Sequence, residues 1–237
     1  MVKMGMICLR RGFGSIVKKF NRRFKKEGFF YLVVLWRVFV NYIVRFFRND
    51  TFVFQNKRYK YFYDAYNHTW ANERAIEIPI ILGELRKSKV QFLEIGNVLG
   101  HYVDIPHEVI DKYDVSPGVI NDDAATFQSK NKNSLIISIS TLEHVGIDEE
   151  PKEQDKINLA IQNIIRNLKE GGKSIITVPI GYNCCLDKLI EEGKLFSHRL
   201  FFKRRLFNVW KQCDWEDVKA SKFSEDARGL AILYIEK

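Results

Sequence analysis

The feature that most constrains this chain is a series of short, predominantly apolar runs separated by longer mixed segments. The runs are VQFLEI (90–95), SLIISIS (134–140) and SIITVP (174–179). Runs of this kind are typical of parallel strands that are buried on both faces of a sheet. Between the second and third runs, residues 156–172 repeat isoleucine at helical spacing. Strands that alternate with helices predict an α/β fold with a doubly wound, mostly parallel sheet.

Turn and cap residues predict the boundaries of the remaining elements. An aromatic, strand-like stretch covers 51–63, and a helix begins near Asn72, its predicted N-cap. Pro79 marks a kink in that helix. The other predictions are a second strand that ends at Asp114, a short third strand within 119–127, a helix end at Gly171-Gly172, and a closing strand pair over 214–223 and 229–237.

An uneven charge distribution separates the N-terminal segment from the rest of the chain. Residues 1–50 contain twelve Lys and Arg against Glu27 and Asp50, a formal charge of +10. The remaining residues carry 26 basic and 27 acidic side chains, a formal charge of −1. This asymmetry predicts that the segment meets an anionic surface, either a membrane or a nucleic acid.

Within this segment, FFYLVVLWRVFVNYIVRFF (29–47) reads as an amphipathic helix about 28 Å long, close to the thickness of a bilayer core. Its polar positions form a narrow stripe, namely Arg37, Asn41, Arg45 and Arg48. The arginines make a full span marginal, because each central arginine costs about 2.5–3.5 kcal/mol on insertion. We expect residues 10–48 to lie on an anionic membrane, with the arginines toward the headgroups. The alternative is that the helix packs on the domain or on a second subunit.

The cysteines predict the cellular compartment. Cys8, Cys184, Cys185 and Cys213 show no CxxC spacing, so a disulfide framework is not expected. A reducing cytoplasm, with peripheral attachment to the membrane, is the predicted location. The sequence also shows no cluster of residues with the spacing of a metal site.

The glycine-containing stretch FLEIGNVLGHY (92–102) includes the end of the first run. Gly96 would let the chain turn sharply after the strand, and Gly100 would allow a ligand to approach the backbone closely. In an open parallel sheet, ligands bind beyond the carboxyl ends of the strands, where the strand order reverses. Asp114 lies twenty residues beyond Glu94, where a carboxylate can bind both hydroxyls of a ribose. About eight residues separate Gly100 from the next strand, which predicts a first crossover of about one turn.

Five stretches together resemble the class I S-adenosylmethionine-dependent methyltransferases, whose fold is Rossmann-like. They follow that family's order and spacing over roughly residues 90–180. The LEHV and LKEGG pieces favour this family over nicotinamide dehydrogenases, which share the glycine turn and the ribose-binding acid. The matching stretches are FLEIGNVLG, YDVSPG, NDDAATF, LIISISTLEHV and LKEGGKSIITVP.

This resemblance implies that the chain binds S-adenosylmethionine through the residues that match the motifs. The implied contacts are Glu94, Gly96 and Gly100 beside the methionine portion, Asp114 at the ribose, Val115, Asp123 and Ala124 at the adenine, and Thr141 and Leu142 at the methyl-transfer edge. Two alternatives stay open from the residues alone: Asp114 could cap a turn, and Asp123 could be a solvated loop acid.

Transfer of a methyl group to a hydroxyl needs a base, and His144 is the best candidate because it follows the fourth strand. His68 and His101 are the next candidates. A lone histidine is more often structural, so a structural role remains the alternative for each of them.

Two further stretches are candidates for substrate binding. Tyr182 and Asn183 follow the fifth strand, where the resemblance places substrate-binding side chains in some members of the family. The segment 66–74 precedes the first strand of the sheet, where the family often builds a lid over the substrate. Its His68 and Trp70 could close the site or pack against the sheet.

The leading hypothesis is an S-adenosylmethionine-dependent O-methyltransferase for a small or lipid-linked acceptor, such as a sugar hydroxyl. Val98 and Ser134 depart from the family pattern and keep open a non-catalytic binding or scaffold protein of the same fold. The third hypothesis is an RNA methyltransferase, although the sequence lacks the motif of amino-group methylation on nucleic acid. The predicted divisions are a basic amphipathic helical segment (1–50), a lid or lead-in region (51–89) and a methyltransferase-like cofactor-binding domain (90–237).

Overall fold

The computed structural model of the chain describes residues 29–47, 50–88, 90–223 and 226–237. The predictions for the basic stretch 1–28 and for Arg48 lie outside the described residues. The helices are α1 (Phe29–Val44), α2 (Arg74–Ser88), α3 (Lys156–Asn167), α4 (Cys184–Glu192) and α5 (Trp215–Val218). Short 3₁₀ turns cover Tyr66–Ala71, Leu99–His101, Leu142–His144 and Leu206–Asn208.

The strands of the described residues form a two-stranded hairpin and an eight-stranded sheet. The hairpin consists of β1 (Thr51–Phe54) and β2 (Lys57–Lys60). The strands of the large sheet are β3 (Leu93–Ile95), β4 (Glu108–Ile110), β5 (Val119–Ile120), β6 (Asn133–Ile139), β7 (Leu168–Pro179), β8 (His198–Arg205), β9 (Val209–Cys213) and β10 (Gly229–Glu236).

The large sheet has the order β5-β4-β3-β6-β7-β10-β8-β9. The strands from β5 to β7 in this order pair in parallel, whereas β10 is antiparallel to both β7 and β8. The order reverses between β3 and β6, so the crevice expected of a doubly wound sheet lies beyond their carboxyl ends. The predicted fold class, a Rossmann-like doubly wound and mostly parallel sheet, is confirmed.

Two hydrophobic cores cover the two faces of this sheet. Helices α3 and α4 contribute to one core, and α2 with the β1–β2 hairpin contributes to the other. Along β6, Ile136 lies in the first core, while Leu135, Ile137 and Ile139 lie in the second. Burial on both faces explains why β6 is a continuous apolar run.

Several predicted boundaries are confirmed by the structure. The first crossover is the single turn Leu99–His101. Helix α2 begins at Arg74, whose N–H donates to Asn72 Oδ1 at 3.1 Å, and it continues through Pro79 to Ser88. The third strand lies within the predicted range.

Three predicted boundaries are wrong. Helix α3 ends at Asn167, and Gly171-Gly172 lie inside β7. The second strand ends at Ile110, four residues before Asp114. Residues 214–223 do not form a strand, because Asp214 and Asp217 form a capping box that starts α5.

The closing strand β10 pairs instead with β7 and β8. Strands β8 and β9 were not predicted. The sequence of β8, HRLFFKRR, contains three arginines and one lysine, which obscure its apolar character, although Phe201 and Phe202 are buried in opposite cores.

Helix α1 packs on the domain through its polar stripe, the reverse of the predicted orientation. The guanidinium of Arg37 pairs with Asp226 at 2.5 Å, and Asn41 is buried. The Trp70 Nε1 donates to the carbonyl oxygen of Val38 at 3.1 Å. The guanidinium of Arg45 lies over the ring of Trp70, 5.4 Å from its centroid. Among the described residues, no helix has the length and apolar character needed to cross a membrane.

Candidate functional site

Gly96 lies directly after β3, where the strand order reverses. Its φ is +86°, and a Cβ built there would lie 2.1 Å from Thr141 Oγ1. Glycine is required here, since the left-handed backbone strains other residues and the adjacent space is filled. The carboxyl ends of β3 and β6 therefore meet at this point, and two of the predicted cofactor contacts touch each other.

Glu94 is fully buried and fixes the loop that follows Gly96. Its Oε1 accepts the N–H of Leu99 at 2.8 Å, and its Oε2 lies 2.7 Å from His107 Nε2. His107 Nδ1 lies 2.6 Å from the carbonyl oxygen of Ile105, which can only accept, so Nδ1 carries a hydrogen. Burial lowers the pKa of His107, but the hydrogen bonds to Glu94 and Ile105 outweigh it and raise the pKa above its usual value.

Both oxygens of Glu94 are thus committed to the protein, and the residue acts by shaping the loop. Its partner His107 was missed from the sequence because the two residues are thirteen positions apart and lie outside any shared motif. The available signal for His107 was an acidic residue within an apolar strand, followed by a histidine just before the next strand.

We expect His107→Gln to destabilise the protein in a pH-dependent way. Breaking a buried ion pair costs about 3–5 kcal/mol, because the remaining charge loses its partner. The pKa of His107 is higher in the folded protein than in the unfolded chain. Its pairing with Glu94 therefore stabilises the fold fully below the unfolded-state pKa, and this stabilisation is lost as the pH rises through the folded-state pKa. The gap in unfolding free energy between wild type and variant should therefore be larger near about pH 6 than near about pH 9.

Urea unfolding at both pH values measures this gap. His198→Gln, at an exposed strand end, controls for the loss of an imidazole. A gap that is constant or grows with pH would contradict the protonated pair.

Two carboxylates, not one, stand near the end of β4. Asp111 follows the strand directly, and its Oδ2 accepts the N–H of Asn97 at 3.1 Å. Asp114 accepts the side-chain Nδ2 of Asn97 at 2.8 Å and the N–H of Ser116 at 2.8 Å. Asn97, the residue after Gly96, therefore joins both acids to the glycine turn. Hydrogen bonds, first from Ser116 and then from Asn97, lower the pKa of Asp114.

The strand-end position predicted for Asp114 thus belongs to Asp111. Asp114 is not at the strand end because β4 ends at Ile110, and the following KYD (112–114) forms a loop. Asp111 was missed because the polar DKYD stretch gives no sign of where the strand stops, although the run EVI just before it does.

Asp123 belongs to a four-residue ionic cluster. Its Oδ2 lies 2.5 Å from Lys156 Nζ and 2.9 Å from Lys112 Nζ, and its Oδ1 accepts the N–H of Ala125 at 2.9 Å. Both lysines also pair with Glu149. Burial raises the pKa of Asp123, but the two lysines outweigh it and hold the pKa at about 2. The carboxylate is therefore ionised but already shared between two ammonium groups.

The other predicted cofactor contacts differ in exposure. Val115 is 85% exposed beside Asp114, and Gly100 is exposed on the turn after Gly96. Ala124 and Leu142 are buried in the core below the site. Gly100 and Val115 are thus open to a ligand, whereas Ala124 and Leu142 support the loops that contact one.

His144 lies on the turn after β6, and its ring is oriented by an acid that was not predicted. Its Nδ1 lies 2.6 Å from Asp148 Oδ2, which also accepts the hydroxyl of Tyr182 at 2.5 Å. Burial raises the pKa of Asp148, but hydrogen bonds from Tyr182 and His144 outweigh it and lower the pKa. Asp148 accepts the hydrogen on Nδ1, which leaves Nε2, 3.6 Å from Glu143 Oε1, as the nitrogen that can accept a proton. The spacing of four residues between His144 and Asp148 was the available signal.

Tyr182 therefore reaches the site, in edge contact with the ring of His144. Asn183 has a different role. Its Oδ1 accepts the N–H groups of Cys185 and Leu186 as the N-cap of α4, and its Nδ2 donates to the carbonyl oxygen of Glu143 at 3.1 Å. The side chain is buried, and both ends of its amide are bonded within the protein.

A buried acidic cluster lies behind His144, at the carboxyl ends of β6 and β7. Glu77 pairs with Arg74 and accepts the hydroxyls of Ser140 and Thr177, each at 2.6 Å. Glu143 is also buried, its Oε2 has no partner among the described residues, and burial raises its pKa well above the usual value. These residues were not predicted, although Glu73 and Glu77 lie four residues apart at the start of α2, beside the apolar run IPIIL.

The predicted lid contacts both the glycine loop and the N-terminal helix. The ring of Tyr66 stacks on His101, with centroids 4.6 Å apart, next to Gly100. Trp70 contacts α1, as described above, and the His68 ring lies 5.3 Å from that of Trp70. The structure therefore brings Tyr66 to the site, while Trp70 holds α1 on the domain.

The switch-point glycine, the paired acids and the histidine held by Asp148 all follow the carboxyl ends of strands in a Rossmann-like sheet. No family model matches the chain, and no curated protein matches it. The strand order defines the fold independently of any superposition.

Among solved structures, the chain is similar to several S-adenosylmethionine-dependent methyltransferases. One is the N-methyltransferase NodS from Bradyrhizobium japonicum WM9 in complex with S-adenosyl-L-homocysteine, at 14% identity and a TM-score of 0.45, over 70% of this chain and 88% of that chain. Another is the TehB-like methyltransferase from Corynebacterium glutamicum, at 17% identity and a TM-score of 0.39, over 65% and 86%.

A third is magnesium protoporphyrin IX methyltransferase from Synechocystis PCC 6803 with bound S-adenosylmethionine, at 11% identity and a TM-score of 0.37, over 68% and 77%. Identities this low concern the fold alone.

Proposed function

We propose that this protein is an S-adenosylmethionine-dependent methyltransferase that methylates a hydroxyl of a small or lipid-linked acceptor, such as a sugar. The observation that carries the proposal is the geometry of His144 and Asp148, which places a proton-accepting nitrogen on the turn after β6. This turn begins with Thr141, which contacts Gly96, so the base and the cofactor loop share one edge of the sheet.

The residues at the glycine turn fit the cofactor. Asp114 accepts hydrogen bonds from Asn97 and from the N–H and side chain of Ser116, and its two oxygens have four lone pairs, so acceptor capacity remains for a ribose hydroxyl. Asp111 supplies a second carboxylate beside it, whose Oδ2 accepts the N–H of Asn97. Val115 offers an exposed apolar surface next to these acids for the adenine ring. When bound, S-adenosylmethionine supplies an electrophilic methyl group on a sulfonium.

The protein's own part in the transfer is orientation and removal of one proton. Asp148 keeps the hydrogen of the His144 ring on Nδ1, and Tyr182 fixes Asp148 from the other side. Nε2 of His144 would take the proton of the acceptor hydroxyl during the transfer. Alignment of the two reactants supplies much of the rate enhancement in such a reaction.

Calorimetric titration with S-adenosylmethionine and with S-adenosylhomocysteine tests the first half of this proposal. A screen of hydroxylated sugars and lipid-linked glycans with labelled cofactor tests the second half. No binding of either cofactor form by folded protein would contradict the proposal.

We expect Asp114→Ala and Asp111→Ala each to weaken cofactor binding about 10- to 150-fold. A hydrogen bond to a charged group contributes about 1.5–3 kcal/mol, and each substitution removes a carboxylate from the ribose position. The matched control is Glu170→Ala, which removes an exposed carboxylate at the amino end of β7, the opposite edge of the sheet. An unchanged binding isotherm for both aspartate variants would remove the ribose assignment.

A further inference from the structure

Helix α1 presents its apolar face to solvent. The exposed fraction is 65% for Trp36 and 54% for Phe39, and Phe47 beyond the end of the helix is 85% exposed. A contiguous exposed apolar surface of this kind marks an interaction site in a soluble protein. The other large exposed apolar residues of this stretch are Leu32, Val33, Tyr42, Ile43 and Phe46.

The orientation of α1 is fixed by its polar side. The ion pair of Arg37 with Asp226 and the hydrogen bond from Trp70 to the Val38 carbonyl hold the polar stripe on the domain. Asp226 also pairs with Arg204 of β8 at 2.9 Å, which ties the helix to the sheet. An amphipathic helix usually buries its apolar face, so this arrangement displays that face to an external partner.

The apolar surface extends beyond the helix. The turn Leu206–Asn208 contacts α1, and its Leu206 is 81% exposed while Phe207 is 47% exposed. Phe207 has a φ of +58°, an uncommon conformation for a bulky residue. Arg205, also exposed, directly precedes this turn. Two chain segments that contact each other therefore both expose apolar side chains, and an exposed basic residue precedes the second segment.

The positive charge of residues 1–28, which precede α1, indicates which kind of partner binds this surface. Residues 1–28, which lead into α1, contain nine Lys and Arg against Glu27. A second copy of this chain would bring two such segments together, and their like charges would repel. A nucleic acid would satisfy the basic residues but leave the apolar face uncovered. Anionic lipid satisfies both, since its headgroups attract the basic residues and its acyl region takes the aromatic side chains.

We infer that α1 and the Leu206–Asn208 turn form a docking surface for the anionic face of a membrane. The helix lies in the interface with Trp36 and Phe39 inserted, while its polar stripe stays bound to the domain. The net positive charge of residues 1–28 attracts the anionic headgroups. This orientation differs from that of a free amphipathic helix, whose arginines would face the headgroups, because here Arg37 and Arg45 are held by the protein.

Flotation of the full chain with vesicles tests the inference. Wild type should float with phosphatidylcholine vesicles that contain phosphatidylserine, and less with phosphatidylcholine alone. Trp36→Glu combined with Phe39→Glu should abolish flotation. Arg22→Gln combined with Arg23→Gln should weaken binding about 30-fold, since each basic residue near the surface contributes about fivefold. Leu159→Glu, at an exposed leucine of α3, is the matched control and should float like wild type.

Unfolding curves confirm that each variant folds. Failure of wild type to float at low salt, or equal flotation of the Trp36/Phe39 variant, would overturn the inference. A wild-type dimer that the same variant converts to monomers, without vesicle binding, would assign the surface to a second copy instead. Binding of RNA without vesicle binding would equally overturn it.

Discussion

Gly96→Ala should lower the free energy of unfolding by about 2–5 kcal/mol and abolish cofactor binding. The left-handed backbone costs an alanine about 1–2 kcal/mol, and forcing a methyl group into filled space costs about 1–3 kcal/mol more. The new Cβ would lie 2.1 Å from Thr141 Oγ1, so β3 and the turn after β6 must move apart. Denaturant unfolding and calorimetric titration measure the two effects.

A second glycine, Gly118, allows the cost of backbone strain at Gly96 to be measured separately from the cost of the contact with Thr141. Gly118 has a φ of +88°, nearly that of Gly96, but a Cβ built there meets no heavy atom within 4 Å. Gly118→Ala should therefore cost only the backbone strain. Combining Gly96→Ala with Thr141→Gly should recover part of the lost stability, as a double-mutant cycle would show. Equal costs for the two glycine variants would mean that the contact with Thr141 is unimportant.

His144→Gln should lower the turnover number about 10²- to 10⁴-fold while leaving cofactor binding unchanged. A positioned general base contributes about this much, and glutamine retains polarity without accepting the proton. The acceptor found in the screen above, with labelled cofactor, provides the assay. Calorimetry on the same variant shows whether the cofactor site is intact. A turnover number within a few-fold of wild type would exclude His144 as the base.

Asp148 acts through His144, so substitution of Asp148 should lower the turnover number less than His144→Gln does. Asp148→Asn leaves an amide that can donate to the ring and favour the wrong tautomer, so the turnover number should fall without a matching change in the Michaelis constant. Asp148→Glu should restore part of the activity, because a carboxylate again accepts from Nδ1. If Asp148 had only a structural role, its substitutions would change stability, and Asp148→Glu would not restore activity in this way.

The sheet and its glycine turn could be predicted from the sequence because they follow from local rules. The run around Leu135 is apolar on both faces, and the short distance from Gly100 to β4 leaves room for only one turn. His144 was selected as a candidate because it lies on the turn that follows a recognisable strand. In each case the information lies within a few residues of the feature.

The features that were not predicted depend on contacts between residues that are far apart in the sequence. His107 gains its role from Glu94, and the buried cluster forms only when Glu77 of α2 meets Ser140, the residue after β6, and Thr177 of β7. The orientation of α1 was predicted wrongly for the same reason. The polar stripe suggested a solvent or headgroup contact, but Asp226, far along the chain, binds Arg37.

The position of β10 imposes an order on how the sheet can assemble. This strand lies between β7 and β8 in the sheet but follows both of them in the chain. During synthesis, the β8–β9 hairpin has no edge to join until residues 229–236 have left the ribosome. Until then the edge of β7 stays unpaired, and an unpaired apolar edge is a template for association with other chains. The interval between the synthesis of β7 and that of β10 is when the nascent chain most needs a chaperone.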